Sequence, residues 1–170
     1  TNSNLSNNSA VRAGGAIEAS GGRTQVDDTT MSGNVAGPVP GNGGALHLTG
    51  VGNVTVNRSV VTDNTAGSEG GGLWNSGGGT MTVAGTTLTG NIANGVDPDN
   101  GGGALFNAGG SLTVNTSTVS DNSAVQGSGS GGGVFNNAGT LTVRNSTFGQ
   151  NSAARPGGAV ETAGGNGADA

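Results

Sequence analysis

Six times along the chain an apolar residue is followed at the third position by Asn and two further on by Ala. The copies are Leu5…Asn8…Ala10, Met31…Asn34…Ala36, Val61…Asn64…Ala66, Leu88…Asn91…Ala93, Val119…Asn122…Ala124 and Phe148…Asn151…Ala153. A register kept over 170 residues marks stacked structural repeats. Two further patterns run in step with it. A Gly-Gly-(Ala or Gly)-aliphatic unit ends at Ile17, Leu46, Leu73, Leu105, Val134 and Val160, and an apolar-Thr-Val unit recurs at Val54, Met81, Leu112 and Leu141. Each repeat thus carries three short strand signals separated by Gly, Asn and Ser clusters, which punctuate turns.

The Asn-to-Asn spacings are 26, 30, 27, 31 and 29, and most of the scatter falls between the Ala of one motif and the next Gly-Gly. Without that segment roughly 23 to 24 residues remain, enough for one rung of a parallel β-helix with rungs about 4.8 Å apart. The predicted fold is all-β, one solenoid domain of about six coils of three short strands. The coils run approximately over residues 1–26, 27–56, 57–83, 84–114, 115–143 and 144–170. No useful stretch shows the helical period of 3.6 residues.

With 38 Gly and 9% charged residues the composition resembles a linker, but a linker has no reason to hold apolar residues in register. There is no Cys, so disulfides and thiolate metal sites are excluded. Five basic residues, all Arg, stand against ten carboxylates for a net charge of −5, which argues against nucleic acid as a partner. No stretch is long and apolar enough to make a transmembrane segment.

The repeated polar columns read as architecture. Asn8, Asn34, Asn64, Asn91, Asn122 and Asn151 are expected to form an inward structural ladder, amide on amide. The Ala column suits a tight corner, and the Gly pairs allow positive φ and close backbone approach. Residues 127–132 match a dinucleotide fingerprint in form only, since no helix pattern follows. Sequons at Asn4, Asn7, Asn53, Asn57, Asn115 and Asn145 reflect the repeat's own preference for Asn, Ser and Thr. Asp28 and Arg58 share a column in adjacent coils and are expected to form a surface ion pair.

Function is sought where repeats differ. The position after the inward aliphatic residue points outward by strand alternation and reads Glu18, His47, Trp74, Phe106, Phe135, Glu161. Two readings stand: a satellite core covered by nearby loops, or an open strip in which His47, Trp74, Phe106 and Phe135 stack on a glycan or protein partner. The long insertions at residues 37–42, 94–101 and 125–130 precede this column, and insertions on one solenoid edge often build a binding face. Asp97 and Asp99 in one such loop are a weak candidate for calcium. A second outward surface carries Thr30, Thr62, Thr87, Thr89, Thr118 and Thr147, an array that could order water in an ice-like lattice, although Thr also suits any exposed strand. No cofactor, resident metal or catalytic residue is expected. His47 is the sole histidine without a triad arrangement, and the carboxylates do not cluster as in polysaccharide-cleaving enzymes.

The GGA(I/L/V) units ending at Ile17, Leu46, Leu105 and Val160, with the full FxxN of Phe148–Asn151, resemble polymorphic outer-membrane protein repeats. Most copies here carry Leu, Met or Val in place of the Phe, and no membrane barrel is present in the sequence. The resemblance extends to bacterial right-handed β-helix surface proteins, whose repeats form passengers of autotransporters and adhesins. It implies a right-handed, single-stranded parallel β-helix acting as a non-enzymatic structural or adhesive scaffold, extracellular or on the cell surface. The ends suggest a further alternative. The chain opens on the first position of a repeat, residues 166–170 stand where a strand is due, and neither end carries an amphipathic cap. Expected neighbours are therefore further copies stacked coil on coil into a filament, or flanking coils of a longer chain.

Overall fold

A computed structural model describes residues 1–38 and 40–164. Parallel strands stack into four sheets, and no helix is present among the described residues. Three sheets hold six strands and one holds five, which makes about five full turns. The expectation for residues 166–170 falls outside the described residues.

Each complete coil has four strands where the sequence predicted three. In the third coil these are Val60–Thr62, Thr65–Ala66, Leu73–Asn75 and Thr80–Ala84. The extra strand arises inside the Asn motif. Asp63 takes a left-handed backbone at φ 55°, and buried Asn64 turns inward, so the chain bends and Thr65–Ala66 starts a separate short strand. Pairing keeps every motif in register from coil to coil: Leu73 lies between Leu46 and Leu105, and Met81 between Val54 and Leu112.

Left-handed residues recur at three corners. Asn7, Gly33, Asp63, Gly90, Asp121 and Gln150 form one column; Asn2, Asp28, Arg58, Gly85, Thr116 and Asn145 form another. The first Gly of each pair supplies the third, from Gly14 to Gly157. The second Gly answers a different need: a Cβ on Gly71 would lie 2.2 Å from the Gly103 carbonyl oxygen and 2.5 Å from the Ile92 carbonyl carbon. Neighbouring coils approach too closely there for any side chain.

Three strand faces fill the interior. Met31, Val61, Leu88 and Val119 from one, Leu46, Leu73, Leu105 and Val134 from another, and Val56, Met81, Val83, Leu112 and Val114 from a third are all fully buried, at 0% exposure. Polar ladders line the corners between them. Nδ2 of each Asn donates to Oδ1 of the Asn one coil on, at 2.9, 2.8, 2.9, 2.9 and 2.9 Å from Asn8 through Asn122. The same oxygen accepts the preceding Asn's backbone N–H, as Asn91 Oδ1 does from Asn64 at 3.1 Å. The second amide hydrogen reaches backward, Asn91 to the Val61 carbonyl at 2.9 Å. The buried amides thus find partners on both sides. A hydroxyl ladder through Thr29, Ser59, Thr86, Ser117 and Ser146 links coils at another corner, the four hydroxyls from Ser59 onward each accepting the preceding coil's backbone N–H. Ser59 and Ser117 are the hydroxyl residues of the Asn57 and Asn115 sequons, so packing itself selects that spacing. A shorter ladder, Asn75 to Asn107 to Asn136 at 2.7 and 2.7 Å, was not anticipated from sequence.

Candidate functional site

The column Glu18–His47–Trp74–Phe106–Phe135–Glu161 sits in register on the outer side of the sheet built from the Gly-Gly-aliphatic strands. Its rings stack along the rod. His47 lies 4.2 Å from Trp74 with planes 16° apart, and Trp74 lies 6.2 Å from Phe106 with planes 1° apart. Phe106 meets Phe135 edge-on at 5.4 Å and 82°. An open aromatic strip is not what results: His47, Phe106 and Phe135 are buried at 8%, 2% and 1% exposure, and Trp74 is half-buried. Strand alternation turns the rings away from the main core, but Trp74, Ala108 and Ala163 pack with the phenyl rings as a second apolar cluster. The open-strip expectation is corrected accordingly. The Glu18–His47 end of the column lines a cleft.

A carboxylate anchors the loops beside Trp74. Glu69 accepts from Trp74 Nε1 at 2.9 Å, from Asn42 Nδ2 at 3.2 Å and from Asn100 Nδ2 at 3.1 Å. Three coils contribute to this one group, and burial pushes its carboxyl up despite the donors. Glu69 was missed in the sequence. The signal was present, since Ala13, Asn42, Glu69, Gly101 and Ser130 immediately precede successive Gly pairs, but unlike the Asn column this one varies in chemistry.

At the first two coils the loops and the column enclose a cleft of about 500 Å³ lined by Arg12, Ala13, Glu18, Pro40, Asn42, His47 and Thr49. His47 Nδ1 is 3.0 Å from Glu18 Oε2 and 3.0 Å from the Thr49 hydroxyl. Thr49 donates to Glu18, so its oxygen can accept from Nδ1, and the proton of the neutral ring belongs on Nδ1. Burial holds the His47 pKa below its ordinary value; Glu18 pulls it upward and Arg12 pushes it further down.

The remaining sequence candidates lie apart. Asp97 and Asp99 are exposed in a loop closed by its own hydrogen bonds, Asn100 N–H to the Asp97 carbonyl and Asp97 N–H to Asn100 Oδ1. No group of three or more His, Cys, Asp or Glu that could hold a metal occurs among the described residues. Thr30, Thr87, Thr118 and Thr147 align down one outer sheet with exposed Val60 interrupting them; Thr62 and Thr89 align in the neighbouring column. Hydroxyls there also bond one another, as Ser120 does to Thr89 at 3.3 Å. Arg58 grips Asp28 with two bonds of 2.8 Å and thereby holds that carboxyl below the usual range.

The sequence profile described as the right handed beta helix region matches residues 1–169. The chain belongs to the right-handed β-helix family. No curated protein and no solved structure is significantly similar to it. Within this β-helix the repeated polar residues are consumed in ladders, and chemistry that does not repeat gathers along the loop-bearing edge.

Proposed function

We propose that this β-helix is a non-enzymatic scaffold of a bacterial cell-surface or secreted protein, displaying the loop-bearing edge to a surface glycan or protein. The observation that carries the reading is the division of labour in the coil. The Asn, hydroxyl and Gly columns serve stacking, while residues 37–42, 94–101 and 125–130 vary in length and emerge at one edge. Such an edge can change its contacts without disturbing the frame. The resemblance of the GGA(I/L/V) and FxxN motifs to passenger repeats of surface adhesins supports an extracellular setting. A non-enzymatic role fits the dispersal of the acids. Among the described residues Glu18 is the only carboxylate lining the cleft beside His47, and Asp97 the only one lining the smaller cleft beside Pro38 and Asn100, whereas glycoside cleavage uses paired acids.

The test is adherence of the purified rod to cultured cells and arrayed glycans. Replacing residues 94–101 by the short connection of the third coil should abolish or redirect adherence with an unchanged far-ultraviolet spectrum. Adherence that survives this change and equivalent changes at 37–42 and 125–130 would overturn the reading, as would release of new reducing ends from any bound glycan.

A further inference from the structure

We propose that the cleft at the first two coils binds a small hydroxy-carboxylate, with the Arg12 guanidinium holding the carboxylate and Nε2 of His47 hydrogen-bonded to the hydroxyl, accepting from it while the ring is neutral and donating to it once the ring is protonated. Three observations converge on this chemistry. Arg12 lines the cleft and is exposed; its backbone carbonyl accepts from the Asn42 N–H, but its guanidinium forms no hydrogen bond or ion pair with any described residue. It is a free fork of donors matched to a carboxylate. His47 is fixed on both sides, by Trp74 against its face and by Glu18 and Thr49 at Nδ1. With Nδ1 carrying the proton, Nε2 is an acceptor with no partner among the described residues, on a ring that borders open volume. Finally, the cavity is about 500 Å³, within the range of small-molecule sites, and it sets a few fixed polar groups beside the apolar surfaces of Ala13 and Pro40.

Glu18 restricts what can enter. Its carboxylate faces the same cleft and repels an anion unless that anion stays at Arg12, while a hydroxyl tolerates both neighbours. A ligand that carries both groups meets each requirement. Either a free hydroxy acid or a sugar acid at the end of a saccharide has this chemistry. The charged groups acting on the His47 ring are Glu18 and Arg12; Glu69 lies beyond Trp74, held at its indole nitrogen. An anion added at Arg12 offsets the guanidinium charge, so imidazolium becomes easier to form and His47 takes a proton from solvent on binding. Nε2–H then donates to the ligand, and affinity is higher below the His47 pKa than above it.

The chain contains its own reporter. Trp74 is the single Trp, there is no Tyr, and the single His is stacked on it, so protonation of His47 should quench the indole emission. Glycolate and glucuronate are titrated against the whole 170-residue chain at constant ionic strength, with chloride as the reference. The expected result is a saturable quench with either or both acids, tighter at lower pH. Response to glycolate identifies the hydroxy-carboxylate as sufficient; response to glucuronate alone identifies the sugar acid. Arg12→Gln should weaken apparent affinity by about tenfold or more, as loss of a charge-assisted bond implies, with an unchanged emission spectrum in the absence of ligand. No saturable response to either acid, or an equal response in Arg12→Gln, would overturn the proposal. It goes beyond the scaffold reading and can fail separately, because small-acid binding in the cuvette does not depend on adherence of the rod to cells.

Discussion

Asn91 shows what one residue does for this fold. Its Oδ1 accepts two bonds from Asn64, and its Nδ2 reaches Asn122 Oδ1, the Val61 carbonyl and the Thr89 carbonyl. It is fully buried, so no water can replace these partners. Asn91→Ala removes the donors and acceptor at once and strands groups on both adjacent coils. The expected cost is about 3 kcal/mol, read as a lower midpoint in urea denaturation. Thr116 illustrates the opposite case. A β-branched residue at φ 48° occupies a corner where the preceding coil has Gly85, so the register is held there against local preference.

At the level of the element, the strands are too short to be specified alone. Ile92–Ala93 has two residues and gains its place only from the Asn ladder beside it and the coils above and below. This explains what the sequence disclosed. Repeat length, parallel stacking and the inward aliphatic and Asn positions were legible because each recurs six times. The fourth strand was not, because a corner inside a motif has the same spacing as an uninterrupted strand. The Glu69 anchor and the Arg12 cleft were harder still: they join residues from different coils that occur once each, so periodicity carries no trace of them. The burial of Phe106 and Phe135 could not be separated from exposure by alternation alone, which gives a side of the sheet but not what covers it. Gly71 allows the close approach between elements to be measured. Gly71→Ala should destabilise by about 2–3 kcal/mol or more, since backbone must move. Gly149→Ala, where a Cβ would meet nothing within 4 Å, should be neutral or stabilising by up to about 1 kcal/mol. Comparable losses at both positions in thermal unfolding would contradict this account of coil contact.

For the whole molecule, the pH dependence of stability should divide between two groups on the same edge, buried His47 and half-buried Glu69. His47 has a lowered pKa in the fold, so the unfolded imidazole takes up its proton first; stability declines as pH falls from the ordinary value of about 6.5 toward the folded one. Glu69 acts in the other sense. Its carboxyl is raised, the folded state holds the proton longer, and stability declines as pH rises from about 4.3 through the folded value. Denaturation midpoints followed across pH should lose the upper limb in His47→Gln and the lower limb in Glu69→Gln. A His47→Gln profile identical to that of the parent near neutrality would remove His47 from the account. The Asn ladder has a different consequence at this scale. From Asn8 to Asn122 every amide-to-amide bond runs from Nδ2 to the following coil's Oδ1 and none runs the other way, so the ladder has a direction, and each coil ends on the group that the next one requires. A duplicated coil inserted anywhere in the stack would be accepted by both neighbours, and an inverted one by neither. Growth of such a protein by tandem duplication therefore needs no new chemistry, only another copy in the same orientation.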